Sequence, residues 1–135
     1  MQTSKRNDSE LKNLPKVELH RHLEGALRFS TLLELAQSSG AELPNELAQQ
    51  KAQFLVTEPM KDLATVLNKF WATQSFLSSE EILTRITFEG IEDAYNEGIR
   101  ILELRYAPTF IRQNHEHLSF EQIHRAILHG MKLAE

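Results

Sequence analysis

The sequence predicts an α/β fold in which two parallel strands are joined by a helical crossover. Two short stretches have the character of strands, about Lys16 to His22 and Ile99 to Tyr106. Most of the chain between them has the hydrophobic periodicity of helices. A long connection that contains helices joins parallel strands, whereas antiparallel strands can be joined by a tight turn. Two strands alone leave both a barrel and an open sheet possible.

The first strand carries two histidines that point the same way. Residues 1–13 are polar, so we expect a mobile leader that precedes the fold. In the strand from Lys16 to His22, side chains alternate between the two faces, which places His20 and His22 on one side and Arg21 on the other. Two imidazoles on one side can bind a single metal ion. Two solvated or hydrogen-bonded histidines are the alternative that the spacing leaves open.

Two weaker helical segments follow. Thr31 and Glu34 have the spacing of a capping box, which predicts a short helix that ends near Gly40. The segment 42–59 contains two prolines and has weak periodicity. We therefore expect a loop there, with one helical turn around residues 45–50.

A longer helical stretch separates this loop from the second strand. It begins at Lys61, and Ser78 with Glu81 forms a second capping box for a helix that ends at Gly98. In its first part, apolar side chains recur at helical spacing: Leu63, Val66, Leu67, Phe70 and Trp71.

The second strand is closed by Ala107 and Pro108, and a last helix follows it. Ser119 with Gln122 predicts the start of that helix, which places Ile123, Ala126, Ile127, Gly130 and Met131 on one face. Alternation also puts Glu103 and Arg105 on one side of the second strand, where a buried charge would need partners in a structural network, with Glu18 as one candidate.

The composition is that of an ordinary globular protein. Hydrophobic residues make up 41% and charged residues 25% of the 135 residues, and the formal net charge is -4. There is no basic patch for a nucleic-acid backbone, and the absence of cysteine excludes disulfides and CxxC metal sites. No apolar run reaches the length of about 18 residues that would span a membrane. A cytoplasmic protein is the simplest interpretation.

Two blocks of the sequence resemble one known family. The run LPKVELHRHLEGA, residues 14–26, and the run GIRILELRYAP, residues 98–108, are similar to the first and second strands of the adenosine deaminase family, within the metal-dependent amidohydrolase superfamily. The resemblance implies the N-terminal part of a (β/α)8 TIM barrel with an extra helical stretch between strands 1 and 2. Because a complete barrel needs about 250 residues, we expect residues 14–135 to be the N-terminal portion of one barrel domain, truncated at its C-terminus.

The resemblance also implies roles for individual residues. His20 and His22 would ligate a catalytic zinc ion. The substrate-binding residues would be His22, Glu24, Gly25, Leu63, Val66 and Phe70, with the last three on a helix that covers the purine. The family's third histidine ligand, aspartate ligand and proton-shuttling glutamate come from later strands, so no catalytic residue is expected within this chain.

The implied activity of the intact protein is zinc-dependent hydrolytic deamination of adenosine or deoxyadenosine to inosine and ammonia. Glu24 stands where many members have an aspartate, and relatives that take adenine or a modified adenosine also carry glutamate there, so those substrates are an alternative. A phosphoesterase barrel also begins with His-x-His, but the apolar continuation after the pair argues against it. The partner would be a purine nucleoside, with no nucleic acid or membrane.

A hypothesis of another class is an inactive fragment or a partner-binding remnant. It predicts an exposed apolar face and leaves Ile123, Ile127 and Met131 without neighbours. The remaining histidines are predicted to be unrelated to metal binding: His115 and His117 as solvated loop residues, and His124 and His129 as surface residues of the last helix.

Overall fold

The computed structural model describes residues 8–135 of the protein. Its elements are α1 (Asp8–Asn13), β1 (Lys16–His22), a 3-10 turn (Leu23–Gly25), α2 (Phe29–Ser38), α3 (Leu47–Phe54), α4 (Leu63–Gln74), α5 (Glu80–Asn96), β2 (Ile99–Arg105), α6 (Pro108–Asn114) and α7 (Phe120–Leu133). Helix α1 occupies the second half of the predicted leader, and the first half lies outside the described residues. No helix between residues 8 and 135 is long and apolar enough to cross a membrane.

The two strands pair in parallel, as predicted. Lys16 lies opposite Ile99 at one end of the sheet, and His22 lies opposite Arg105 at the other. Gly98 ends α5 with a φ of +86°, and its carbonyl accepts a hydrogen bond of 2.9 Å from the backbone of Lys16. The turn needs glycine because this backbone conformation is unfavourable for other residues. The predicted terminator is therefore confirmed, and it sets the point where β2 begins.

Helices α5 and α7 pack together behind the sheet. Helix α7 starts with the predicted capping box: Ser119 Oγ accepts from the backbone of Gln122 at 3.1 Å, and Gln122 Oε1 accepts from the backbone of Ser119 at 2.9 Å. The expectation that Ile123 and Ile127 lack neighbours is wrong, because α7 turns this face onto α5 and buries both side chains. Met131 stays 40% exposed. The buried apolar core consists of Leu23, Leu27, Leu32, Ala36, Phe54, Phe76, Leu77, Leu83, Ile86, Ile111, Leu118, Ile123, Ala126 and Ile127.

The other face of the sheet is open. Val17, Leu19 and Ile101 on this face keep 58%, 60% and 60% of their surface exposed. An apolar sheet face of this kind is the surface that further strands or another partner would cover.

The predicted charge network around Glu103 and Arg105 is wrong. These two side chains pair with each other at 3.2 Å on the open face, where both are about half exposed. Glu18 faces the helices and binds Arg21 instead. The reason is the pairing of the strands: Glu18 lies opposite Leu102, and residue 102 points to the opposite face of β2 from Glu103 and Arg105.

Helix α2 begins three residues before the predicted start. Its N-cap is Arg28, whose guanidinium forms a two-pronged contact with Asp93 of α5. Thr31 does not cap the helix, because its hydroxyl donates to Glu89 at 2.6 Å in the buried contact between α2 and α5. The hydroxyl of Thr31, which could cap a helix, therefore forms a tertiary hydrogen bond instead.

Other boundaries also differ from the prediction. Helix α3 continues to Phe54, beyond the single predicted turn. Helix α5 is capped by Ser79 rather than Ser78, since the backbone of Ile82 donates to Ser79 Oγ at 3.3 Å. Pro108 opens a helix that the sequence did not predict, as proline at a first helical position can.

Candidate active site

His20 and His22 lie at the C-terminal end of β1, on the open side of the sheet. Their Nε2 atoms are 2.9 Å apart and their ring centroids 4.9 Å apart. Zinc–imidazole bonds are about 2.0–2.1 Å long, so two nitrogens at this separation can reach one ion. The same distance also fits a hydrogen bond between the rings. The predicted convergence of the two side chains is present in the structure.

Arg21, between the two histidines, holds the strand against α5. Its guanidinium donates to Glu18 Oε2 at 3.0 Å and to Glu97 Oε2 at 2.6 Å. Burial alone would lower the pKa of Arg21, but the two carboxylates outweigh burial and raise it above the ordinary value. Arg21 therefore stays charged and secures the strand on one side, while the imidazoles on the other side remain available.

Glu24 connects the ends of both strands to α4. It lies in the 3-10 turn after β1 and is 1% exposed. Its Oε1 atom accepts from the backbone of Ala107 after β2 at 2.6 Å, and its backbone carbonyl accepts from the hydroxyl of Thr73 at 2.8 Å. Within residues 8–135, the buried Oε2 atom has no hydrogen-bond partner. A buried carboxylate oxygen without a donor is costly, so this atom is suited to a ligand or a water molecule.

Gly25 allows α4 to approach the end of β1 closely. A Cβ atom at this position would lie 3.2 Å from the ring of Phe70. The same ring packs edge-on against His22, with centroids 5.7 Å apart. Two of the residues predicted from the sequence, His22 and Gly25, therefore lie against a third, Phe70.

These residues border a cleft of about 340 Å³ between α4 and the ends of the strands. Five of the six predicted substrate-binding residues line it: His22, Glu24, Leu63, Val66 and Phe70. Gly25 does not line this cleft, and lines instead a neighbouring cavity of about 300 Å³ that Phe70 also borders. Most of the lining is apolar, which suits the flat face of a heterocycle.

The cleft is also lined by residues outside the six predicted to bind substrate: Leu67, Trp71, Gln74, Ala107 and Phe110. The aromatic rings of Trp71 and Phe110 meet edge to face with centroids 5.2 Å apart, which joins α4 to α6. Leu67 and Trp71 were visible in the helical stripe. Phe110 lies in the unpredicted helix α6, and no sequence signal pointed to Gln74.

Helix α4 forms one wall of the cleft and begins with a side-chain cap. Asp62 accepts hydrogen bonds from the hydroxyl of Thr65 at 2.7 Å and from its backbone at 2.9 Å. These bonds lower the pKa of Asp62 below its ordinary value. Leu63, the first residue of the helix, remains 71% exposed at the mouth of the cleft.

The other histidines lie away from the pair. His115 is buried, contrary to prediction, and its Nε2 lies 3.3 Å from the carbonyl of Gln74. His117 remains exposed and bonds the carbonyl of Ser78 at 2.9 Å. Among the described residues, no group of three or more histidine or acidic side chains is placed to hold a metal ion. The further zinc ligands and catalytic groups remain a prediction for later strands.

Known proteins similar to this chain are adenosine deaminases. Residues 15–135 match the family described as Adenosine deaminase. The chain is 38% identical over 126 residues to a probable adenosine deaminase of Dictyostelium discoideum, covering 93% of this chain and 16% of that protein. It is 34% identical over 125 residues to an adenosine deaminase of Clostridium botulinum, covering 92% of this chain and 37% of that protein. The chain thus spans well under half of these relatives.

Solved structures of related proteins share the fold of this chain. An amidohydrolase of Burkholderia ambifaria, crystallised with bound Zn, superposes with a TM-score of 0.81 at 32% identity, covering 99% of this chain and 35% of that one. The N6-methyl-AMP deaminase of Arabidopsis thaliana superposes with a TM-score of 0.71 at 29% identity, covering 96% and 36%. The fold is the N-terminal portion of an amidohydrolase (β/α)8 barrel, as predicted. With nearly the whole chain matched in sequence and in structure, this protein belongs to the adenosine deaminase family.

Proposed function

We propose that this chain supplies the first part of the active site of a zinc-dependent adenosine deaminase. In the intact protein, the reaction replaces the 6-amino group of adenosine or deoxyadenosine by oxygen, which yields inosine and ammonia. One observation carries the proposal: the Nε2 atoms of His20 and His22 converge to 2.9 Å beside an apolar cleft that Glu24 borders, and Oε2 of Glu24 is buried there without a hydrogen-bond partner among residues 8–135.

The pair of histidines fits a zinc ion. Neutral imidazole is a preferred zinc ligand, and both rings present the same nitrogen to one point on the open side of the sheet. When bound, zinc would supply the Lewis acidity that makes a water molecule nucleophilic near neutral pH. The third histidine and the aspartate that complete the ligand set are proposed to come from later strands.

The remaining site residues would bind and orient the purine nucleoside. Glu24 would accept a hydrogen bond from a hydroxyl of the sugar through Oε2, because Oε1 already accepts from the backbone of Ala107. Leu63, Val66 and Phe70 would pack on the purine and exclude water from it. His22 and Gly25 would border the reacting end of the ring, where Phe70 contacts both. The proton-shuttling groups are proposed to lie beyond Glu135.

Metal content and turnover test this proposal together. In the longest reading frame that contains this chain, we expect about one zinc ion per chain and an adenosine-to-inosine absorbance change that a chelator abolishes and zinc restores. H20A and H22A should lose both metal and turnover. H129A is the matched control, because His129 is an exposed residue of α7 away from the cleft, and it should retain both. A zinc-loaded protein without turnover of any purine tested would refute the deaminase assignment.

Adenine or a modified adenosine is the second candidate substrate. Glu24 favours it, as does the 29% identity to a structure whose own substrate is N6-methyl-AMP. Values of kcat/KM for adenosine, deoxyadenosine, adenine, N6-methyladenosine and N6-methyl-AMP would rank the candidates. We expect adenosine or deoxyadenosine to rank first.

The proposed partners are small purines only, and the proposed location is the cytoplasm, as expected from the composition. We further propose that these 135 residues alone do not turn over substrate, because they contribute two ligands to the metal. Metal-dependent turnover by the isolated chain would contradict this.

A further inference from the structure

Gln74 is the last residue of α4 and lines the same cleft as Glu24. It is 6% exposed. Its backbone carbonyl accepts from the backbone of Leu77 at 3.0 Å and lies 3.3 Å from Nε2 of His115. The residue is therefore held firmly where α4 ends, with contacts from two different segments of the chain.

The side chain of Gln74 is differently placed. Its carboxamide makes no hydrogen bond to another described residue. Oε2 of Glu24 is fully buried, whereas both polar atoms of the Gln74 carboxamide keep some solvent-accessible surface. Part of the small surface that Gln74 retains thus belongs to the carboxamide, and Gln74 is one of the residues that line the cleft. Because buried polar groups are normally paired, this amide is available to a ligand.

Glu24 and Gln74 have complementary chemistry. The free oxygen of Glu24 only accepts hydrogen bonds when ionised, whereas the carboxamide of Gln74 both donates and accepts. Apart from His22, the other side chains around the cleft are apolar or aromatic. A ligand that satisfies both groups must offer a donor to the carboxylate and a second polar group to the amide.

We propose that Gln74 is a specificity-determining residue that, together with Glu24, binds the hydroxyl groups of the substrate's pentose. The inference rests on the proposed function. A hydroxyl that donates its proton to Glu24 can accept from the amide nitrogen of Gln74, and a neighbouring hydroxyl can donate to the amide oxygen. A phosphate has no such donor at neutral pH and is repelled by the carboxylate, and free adenine lacks the hydroxyls. Gln74 therefore favours a nucleoside over the free base, and over the nucleoside 5′-monophosphate if the contacted hydroxyl is the 5′-hydroxyl.

Substitution of the carboxamide by an apolar group of similar size tests the proposal. In the full reading frame, Q74L should raise KM for adenosine about three- to tenfold and leave kcat and the KM for adenine unchanged. The analogues 2′-, 3′- and 5′-deoxyadenosine identify the contacted hydroxyl: for one of them, wild type and Q74L should have the same KM. Q37L is the matched control, because Gln37 is an exposed glutamine of α2, and it should match wild type throughout.

Two results would overturn the proposal. An unchanged KM for adenosine in Q74L would show that the amide does not contact substrate. An equal loss of kcat/KM for adenosine, adenine and every deoxy analogue would show a structural role. Q74M, which retains the length of the side chain, provides the same comparison if Q74L unfolds at a lower urea concentration. If the wild type turns over no purine, the proposed function itself fails, whereas an active wild type with unaffected variants overturns only the role of Gln74.

Discussion

Two buried glycines in helices offer a sharp test of how α7 packs on α5. Gly130 lies in α7, where an added Cβ would come within 2.4 Å of the carbonyl oxygen of Thr84 and 2.7 Å of the Cβ of Thr87. Gly90 lies in α5, where an added Cβ would be 3.7 Å from the Cβ of Ala26, an ordinary contact. We predict that G130A destabilises the protein and that G90A stabilises it.

The two substitutions share one term and differ in another. Each substitution adds about 0.8–1.0 kcal/mol to the free energy of unfolding, because alanine has a higher helix propensity than glycine. Only G130A adds the cost of overpacking, about 1–3 kcal/mol. We expect the upper part of that range, since the closest atom belongs to the backbone of α5 and cannot move without the whole helix. The net loss for G130A is then about 2 kcal/mol, and the difference between the two variants is about 3 kcal/mol.

Urea unfolding followed by far-UV circular dichroism measures both variants. Equal slopes would show that the change lies in stability rather than in the extent of unfolding. The hydrogen bond of 3.0 Å from the hydroxyl of Thr84 to the carbonyl of Ala126 joins the same two helices, so G130A should also expose the amides of α7 to faster exchange. A midpoint for G130A at or above that of wild type would refute the close approach of α7 to α5.

Three further predictions concern the metal, helix α4 and helix α7. Loss of one imidazole ligand should weaken zinc binding, so H22A should release zinc to a chelator more readily than wild type does; equal retention of zinc would argue against ligation by His22. Because the pKa of Asp62 is lowered in the folded state, its stabilisation of α4 is present above the unfolded-state pKa and is lost as the pH falls through the folded-state pKa. D62A should therefore remove the acid dependence of the protection of α4 amides from hydrogen exchange. Unchanged acid dependence in that variant would contradict the Thr65 contacts. S119A should lower the unfolding free energy by about 1 kcal/mol, with S30A at an exposed position as control, and equal midpoints would count against the capping box.

Local features of the fold were predictable from the sequence. The span of β1, the parallel pairing of its partner β2, the glycine that ends α5 and the capping box at Ser119 depend on neighbouring residues and on strand alternation. The convergence of His20 and His22 was also foreseen, since residues two apart in a strand share a face.

Other predictions failed where a distant residue decided the outcome. Thr31 has the chemistry of a cap, but a hydrogen bond to Glu89 outweighed it. His115 follows a polar run, yet it is buried against the end of α4. Neither partner is near in sequence, so no local pattern could reveal the contact.

The sequence alone determined the family and the first strand with its histidine pair, because both depend on short runs of consecutive residues. Only the tertiary structure decided that the carboxylate of Glu24 is held by Ala107 and that Gln74 borders the same cleft. These groups are separated by tens of residues, and the packing of α4 across the ends of the two strands brings them together. Hydrogen bonding and burial at such contacts depend on where whole elements are placed, which local propensities do not specify.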